Sequence, residues 1–223
     1  MTPASVVIVG ATGMVGGEAL RYALGNPAVG AVTTVGRTKT GVPSAKLNEV
    51  VHADFADCSP LADVLRGHDA AIFCLGAYTG AVPDDEFRRI TAQYPIEFAQ
   101  VFRASSPEAS FAFLSGNGAD QSGRSQLAFA RYKGEAEKAL LAMGFPRLYV
   151  FRPAYIYPVQ PRKEPNLGYR LLRVVYPALQ SLFPNQAIRS NDLARAMVDK
   201  AVQGTEVREA LVLENRDIRS LIT

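Results

Sequence analysis

The chain has 223 residues, 48% of them hydrophobic, enough to bury the core of one α/β domain. Its 24 Lys and Arg stand against 21 Asp and Glu, and a net charge of +3 is too small for a nucleic-acid footprint; a positive rim around a phosphate-bearing ligand accounts for it. No apolar run reaches the ~18 residues of a membrane span, and two His with two Cys outside any C-x-x-C spacing argue against a metal site and for reduced thiols in the cytoplasm.

The opening MTPASVVIVG runs straight into a strand, so no signal peptide is expected. Ser5–Gly10 is a short β-branched run ending in glycine, the pattern of a strand buried on both faces. A helix is predicted from Gly13 to Leu24, stopped by Gly25-Asn26-Pro27. Strands follow at Ala31–Val35 and Glu49–Ala53, then a short helix at Pro60–Arg66 and a strand at Ala70–Leu75. A long helix covers Asp84–Ala104, with Pro95 as a kink site. Ser110–Leu114 is the next strand, Arg124–Met143 the next helix, and Arg147–Phe151 the sixth strand. A Pro-rich loop at Pro153–Pro165, helices at Leu167–Leu182 and Asn191–Val202, and a strand at Ala210–Leu213 complete the chain. This alternation predicts a Rossmann-like, doubly wound parallel sheet, with residues 1–223 as one domain and 153–190 as an elaboration on the substrate side.

The most specific local signal is Gly10-Ala-Thr12-Gly13-Met14-Val15-Gly16, between the first strand and the first helix. Gly10 permits a tight turn, Gly13 lets backbone amides approach a diphosphate, and Gly16 lets the helix pack closely on the sheet. The helix N-terminus adds unpaired N–H donors and a favourable dipole. The second strand ends in Gly36-Arg37-Thr38, where NAD sites usually carry an acid for the ribose hydroxyls. Arg37 is either a solvated loop arginine or a partner for the 2′-phosphate of NADP, and the second reading favours NADP(H) over NAD(H). Asp54 and Phe55 are placed to frame the adenine, and Leu75-Gly76 to let the backbone pass close to the cofactor.

These features, with Lys133 on a helix and the Arg152-Pro153 pair, resemble the atypical short-chain dehydrogenase/reductase superfamily. The segments GHDAAIFCLG, LSGNGAD, RYKGEAE, FRPA and VLEN, spread from Val6 to Asn215, narrow the resemblance to the HIV Tat-interacting-protein family of NADPH-binding, oxidoreductase-like proteins. The resemblance implies an NADP(H) site in which Lys133 holds the nicotinamide ribose and Arg152 and Pro153 border the nicotinamide. It also implies a Tyr four residues before the Lys as proton donor, on the same helix face. Here that position is Phe129, which has no hydroxyl, while Tyr132 lies about 100° further round the helix. Ser115 and Asn117 are the candidates for orienting a substrate carbonyl. Tyr155, and less so Tyr78, are candidates for a relocated acid, each set against simple aromatic packing.

Two functions lead: an NADP(H)-dependent oxidoreductase acting on a small carbonyl or quinone, or an NADP(H)-binding sensor that engages a protein partner. A third, an epimerase or lyase that retains its nicotinamide, shares the fold but needs an acid/base pair not found in the sequence. Neither nucleic acid nor membrane is an expected partner, and monomer and homodimer are both open. Arg162, Lys163, Arg170 and Arg173 read as a solvated face ahead of an anion clamp.

Overall fold

A computed structural model describes residues 2–160, 184–203 and 208–222. The predicted helix at Leu167–Leu182 and the basic cluster at Arg162–Arg173 lie outside these residues.

Seven parallel strands form the central sheet in the order β3-β2-β1-β4-β5-β6-β9. They are β1 (Ala4–Val9), β2 (Val29–Gly36), β3 (Leu47–Val51), β4 (Ala70–Phe73), β5 (Ser110–Leu114), β6 (Arg147–Arg152) and β9 (Glu209–Glu214). Their β-branched and aromatic runs suit a sheet covered on both faces: Val6–Val9 of β1 and Ala70–Phe73 of β4 are wholly buried. The order reverses between β1 and β4, which opens a crevice at their carboxyl ends. This is the Rossmann-like α/β arrangement that the strand–helix alternation predicts.

One face of the sheet carries α1 (Met14–Gly25) and α6 (Ser190–Val202), packed through Ala19, Leu20, Leu193 and Met197. The other carries α4 (Tyr94–Ser105) and α5 (Ala128–Ala142). Between them and the sheet lies a run of phenylalanines, Phe73, Phe98, Phe102, Phe111, Phe113 and Phe145, with the Phe111 and Phe145 rings 5.0 Å apart.

Several boundaries differ from expectation for physical reasons. The predicted long helix is α3 (Asp84–Arg88), a π-helical turn (Arg89–Gln93) and α4. The π turn ends two residues before Pro95, whose missing N–H cannot continue the regular ladder, and the Tyr94 amide bonds to the Arg89 carbonyl. The predicted helix from Arg124 starts only at Ala128. Asp120 holds the intervening chain in a turn by accepting from the Ser122 amide and hydroxyl and the Ser125 amide. These bonds lower its carboxyl pKa to about 2. The predicted Pro-rich loop contains β7 (Tyr155–Tyr157), paired in parallel with β8 (Ala187–Arg189) in a separate small sheet. Three-residue strands carry too little periodicity to be seen in sequence. Helix α7 (Asn215–Ser220) was also unforeseen; its start is a capping box in which Glu214 and Asp217 exchange side-chain and backbone bonds. The remaining helix, α2 (Ala62–Leu65), follows a single 3-10 turn.

Candidate functional site

The glycine turn sits at the crevice, and its geometry explains each glycine. Gly10 has φ +83°, and a β-carbon there would stand 2.8 Å from the Leu75 amide nitrogen. The Gly10 carbonyl accepts from the Gly13 amide at 2.9 Å and lies so near α1 that a β-carbon on Gly16 would approach it to 2.2 Å. Strand, turn and helix are therefore in backbone contact. Gly13 caps α1 without a side-chain bond, and no acidic residue occupies the first helical turn. The amides of Met14, Val15 and Gly16 have no acceptor within the helix, which makes this end a site for an anion. Thr12 and Gly13 are exposed and Met14 half-buried, whereas Val15 and Gly16 are buried, so these last two contribute backbone only. A cavity of about 550 Å³ opens here, walled by Thr12, Gly13 and Met14, by Thr40 and Val42 after β2, and by Pro158 and Ser190.

At the end of β2, Arg37, Thr38 and Lys39 are all exposed. The acid closest in sequence, Glu49 on β3, is tied to the Thr40 amide and hydroxyl, which lower its pKa. Asp54 is exposed, and its carboxylate accepts from the Ala56 amide at 3.0 Å. Phe55 departs from expectation: its ring is 1% exposed, packed with Val35 and Phe73 in the core. An aromatic beside an apolar sheet face buries there, so only its backbone could meet an adenine. Leu75 is half-buried and Gly76 exposed past the end of β4.

Across the crevice, Lys133 on α5 is 7% exposed. Its Nζ donates to the Leu114 carbonyl at 2.7 Å and lies 4.6 Å from the centre of the Phe113 ring. Burial lowers its pKa to about 8, opposed by nearby Glu137 and Cys74. Phe129, one turn earlier, rests its ring edge on the loop after β5: a β-carbon on Gly116 would stand 2.5 Å from the ring tip. Tyr132 points away, as the helix geometry predicts; its hydroxyl donates to Asp84 at 2.6 Å and its ring packs on Phe87. Tyr155 opens β7, half-buried and paired in register with Ala187, and Tyr78 lies in the loop after β4.

Two expected contacts serve the protein interior instead. Arg152 turns its guanidinium to carboxylates. Its Nε and Nη2 donate to Glu137 at 2.9 and 2.5 Å, and Nη1 donates to Glu214 at 3.0 Å. Ser115, 6% exposed, donates its hydroxyl to Glu137 as well. A guanidinium at a buried strand end needs carboxylate partners, and these come from α5 and from the end of β9, both distant in sequence. Pro153 is buried, and its carbonyl accepts from the Asn117 amide at 2.9 Å, while the Asn117 side chain is exposed.

Sequence reasoning missed Glu137, which is fully buried, and Gly134, where a β-carbon would stand 1.9 Å from the Asp120 carbonyl. The signal for Glu137 was present. It falls on the buried stripe Ala130, Lys133, Ala136 and Leu140 of α5, where a carboxylate demands partners.

Comparison with known proteins now decides the family. Residues 6–125 match the model described as the NAD dependent epimerase/dehydratase family. The chain belongs to the NAD dependent epimerase/dehydratase family. It is a protein of the dinucleotide-binding, short-chain dehydrogenase type that its motifs imply. Protein HTATIP2 of Rattus norvegicus is 31% identical over 97% of this chain and 88% of the relative. A protein of Emericella nidulans named fmp52, mitochondrial, is 31% identical over 69% of this chain and 67% of the relative. The family fold recurs in the Bordetella bronchiseptica enzyme WbmF in complex with NAD+, with a TM-score of 0.71, 14% identity, and 99% and 76% of the two chains covered. It recurs too in a UDP-N-acetylglucosamine 4-epimerase of Methanobrevibacter ruminantium M1, with a TM-score of 0.69, 14% identity, and 98% and 81% covered. No described helix is long and apolar enough to cross a membrane.

The residues present fit the family's dinucleotide. The cradle that β-carbons on Gly10 and Gly16 would fill lies at an uncapped helix start, and Lys133 stands on the opposite wall. A bound nicotinamide would supply hydride chemistry. The charge that strengthens a Lys133 contact to it would be present only while the amine is protonated, so that contribution is full below about pH 8 and lost above. Dinucleotide affinity, followed by fluorescence titration, is therefore expected to fall as pH rises through about 8. The fall should be absent in Lys133→Met. An affinity that stays level over this range in the unmodified protein contradicts the assignment.

Proposed function

We propose that this chain binds NADP(H) in preference to NAD(H) and acts as an oxidoreductase on small acceptors that need little help from a placed acid, quinones ahead of simple ketones. The observation that carries the reading is Phe129, whose ring edge meets Gly116 where the reductase pattern expects a tyrosine hydroxyl. The commitment of Ser115 to Glu137 supports it, since the second expected hydroxyl is also withheld from substrate. General acid catalysis by a placed side chain is worth about 10²–10⁴-fold. Acceptors whose reduced oxygens are weakly basic anions lose least by its absence.

The NADP preference rests on Arg37 and Lys39 just past β2, with Glu49 held by Thr40. A neighbouring fold named for its complex with NAD+ carries no weight against this at 14% identity. Cys58 and Cys74 are both free thiols, which suits a reducing compartment such as the cytoplasm. A second reading, an NADP(H)-binding scaffold for a protein partner, draws on the same two withheld hydroxyls.

Two experiments test the proposal. Arg37→Ala is expected to weaken NADPH binding by about 10-fold or more, as loss of a charge-assisted phosphate contact does, and to leave NADH binding unchanged. Equal affinity of the unmodified protein for the two cofactors would refute the preference. Following NADPH absorbance, the unmodified protein should turn over a quinone and scarcely a ketone. Phe129→Tyr should raise ketone turnover by about 10-fold or more. Tight NADPH binding without turnover on any acceptor, before and after that substitution, would replace the oxidoreductase with the scaffold.

A further inference from the structure

We propose that Glu137 is a positioning residue of the site: it pins the turn of α5 that carries Lys133 to the ends of β5 and β6, and it holds the Ser115 hydroxyl as a donor into the protein interior. The inference rests on the reading of Lys133 as a cofactor contact.

The argument is one of hydrogen-bond capacity. Glu137 has no exposed surface, and a buried carboxylate persists only when its oxygens are satisfied. Its Oε1 accepts from the Ser115 hydroxyl and from Arg152 Nε. Its Oε2 accepts from Gln121 Nε2 at 2.8 Å and from Arg152 Nη2 at 2.5 Å. A carboxylate offers about four acceptor sites, and all are taken. Glu137 therefore has no capacity left to receive a proton or to touch a substrate, which separates it from a catalytic base.

The same bonds fix the geometry around the cleft. Ser115 follows β5, Gln121 lies in the loop beyond it, Arg152 ends β6, and Glu214 beyond Arg152 ends β9. The loop after β5, at Ser115 and Gln121, and the end of β6 thus converge on the one carboxylate of α5, and β9 joins them through Arg152. Lys133 precedes Glu137 by one helical turn on the same buried stripe, so pinning Glu137 pins Lys133. The single hydroxyl proton of Ser115 goes to Glu137, leaving that oxygen only as an acceptor. In the loop after β5, the exposed amide of Asn117 is then a side chain with a donor to offer a substrate oxygen.

The charges around Lys133 make this measurable. Glu137 faces it from α5 and Cys74 from just past β4, with the Leu114 carbonyl and Phe113 ring from β5; Arg152, from β6, faces Glu137. Glu137 is the formal anion in this set, so its removal should make the Lys133 ammonium easier to deprotonate.

The test is a lysine side-chain NMR titration of the cofactor-free protein, with the Lys133 signal assigned by Lys133→Met. The unmodified protein should titrate near 8. In Glu137→Gln the midpoint should drop by about one unit, and Glu137→Asp should recover part of the drop. A residue that only stabilised the fold would lower the melting temperature and leave the midpoint in place, and that result overturns the proposal. If Glu137→Gln does not fold, the double variant Glu137→Gln/Arg152→Gln replaces the ion pair by two amides, and the same midpoint decides. An NADPH titration of the same samples separates the two claims. Absence of binding by the unmodified protein defeats the functional reading, whereas an unmoved lysine midpoint defeats the role of Glu137.

Discussion

The carbonyl of Gly10 lies almost against the first turn of α1, and much of the site follows from that contact. A β-carbon on Gly16 would stand 2.2 Å from this oxygen, so the approach is closed to every residue but glycine. Close packing of helix on strand end brings an uncapped N-terminus to the point where the sheet order reverses. Its unsatisfied amides and dipole are costly without an acceptor and favourable beside an anion. The positive φ of Gly10 and its contact with the backbone at Cys74 and Leu75 complete the frame by fixing the turn against β4. The binding surface is thus backbone, held by backbone, and it depends little on mobile side chains.

The opposite wall is built on a different principle. There the ends of β5, β6 and β9 meet α5 through one buried carboxylate and one nearly buried guanidinium. Breaking such a pair strands an uncompensated charge, which is why its members are costly to change singly. The network takes up groups near the cleft: Ser115 donates inward, and among the described residues Arg152 bonds to the carboxylates of Glu137 and Glu214. With Phe129 at the tyrosine position, this wall orders Lys133 and leaves proton delivery weak. One wall grips by geometry and the other by charge, and the chemistry proposed here reflects that asymmetry.

What could be read from the sequence tracks the range of the interactions involved. Gly10, Gly13 and Gly16 were legible because turn, strand end and helix start are adjacent in the chain. Tyr132 was legible because helical geometry alone turns it away from Lys133, and it does bond to Asp84. The bonds of Arg152 and Ser115 to Glu137 were not legible, because Glu137 comes from another element and is recognised as their partner only once α5 is seen packed on the sheet. Phe55 was misread for a related reason: whether an aromatic after β3 faces cleft or core depends on Tyr94 and Phe73, both far along the chain. The short strands β7 and β8 pair across some thirty residues and have no periodicity of their own to reveal them.

The most direct measurement of the central claim is calorimetric titration of NADPH into the unmodified protein and into Gly13→Asp. That substitution sets a carboxylate at the exposed cap of α1, with a β-carbon 3.1 Å from the Gly10 carbonyl, a contact relieved by a shift of a few tenths of an ångström, whereas one on Gly16 would stand at 2.2 Å. The account predicts a saturable heat for the first and a loss of about 100-fold or more in affinity for the second, with melting temperatures nearly equal in the absence of cofactor. Unchanged affinity in the variant, or no heat from the unmodified protein, would contradict it.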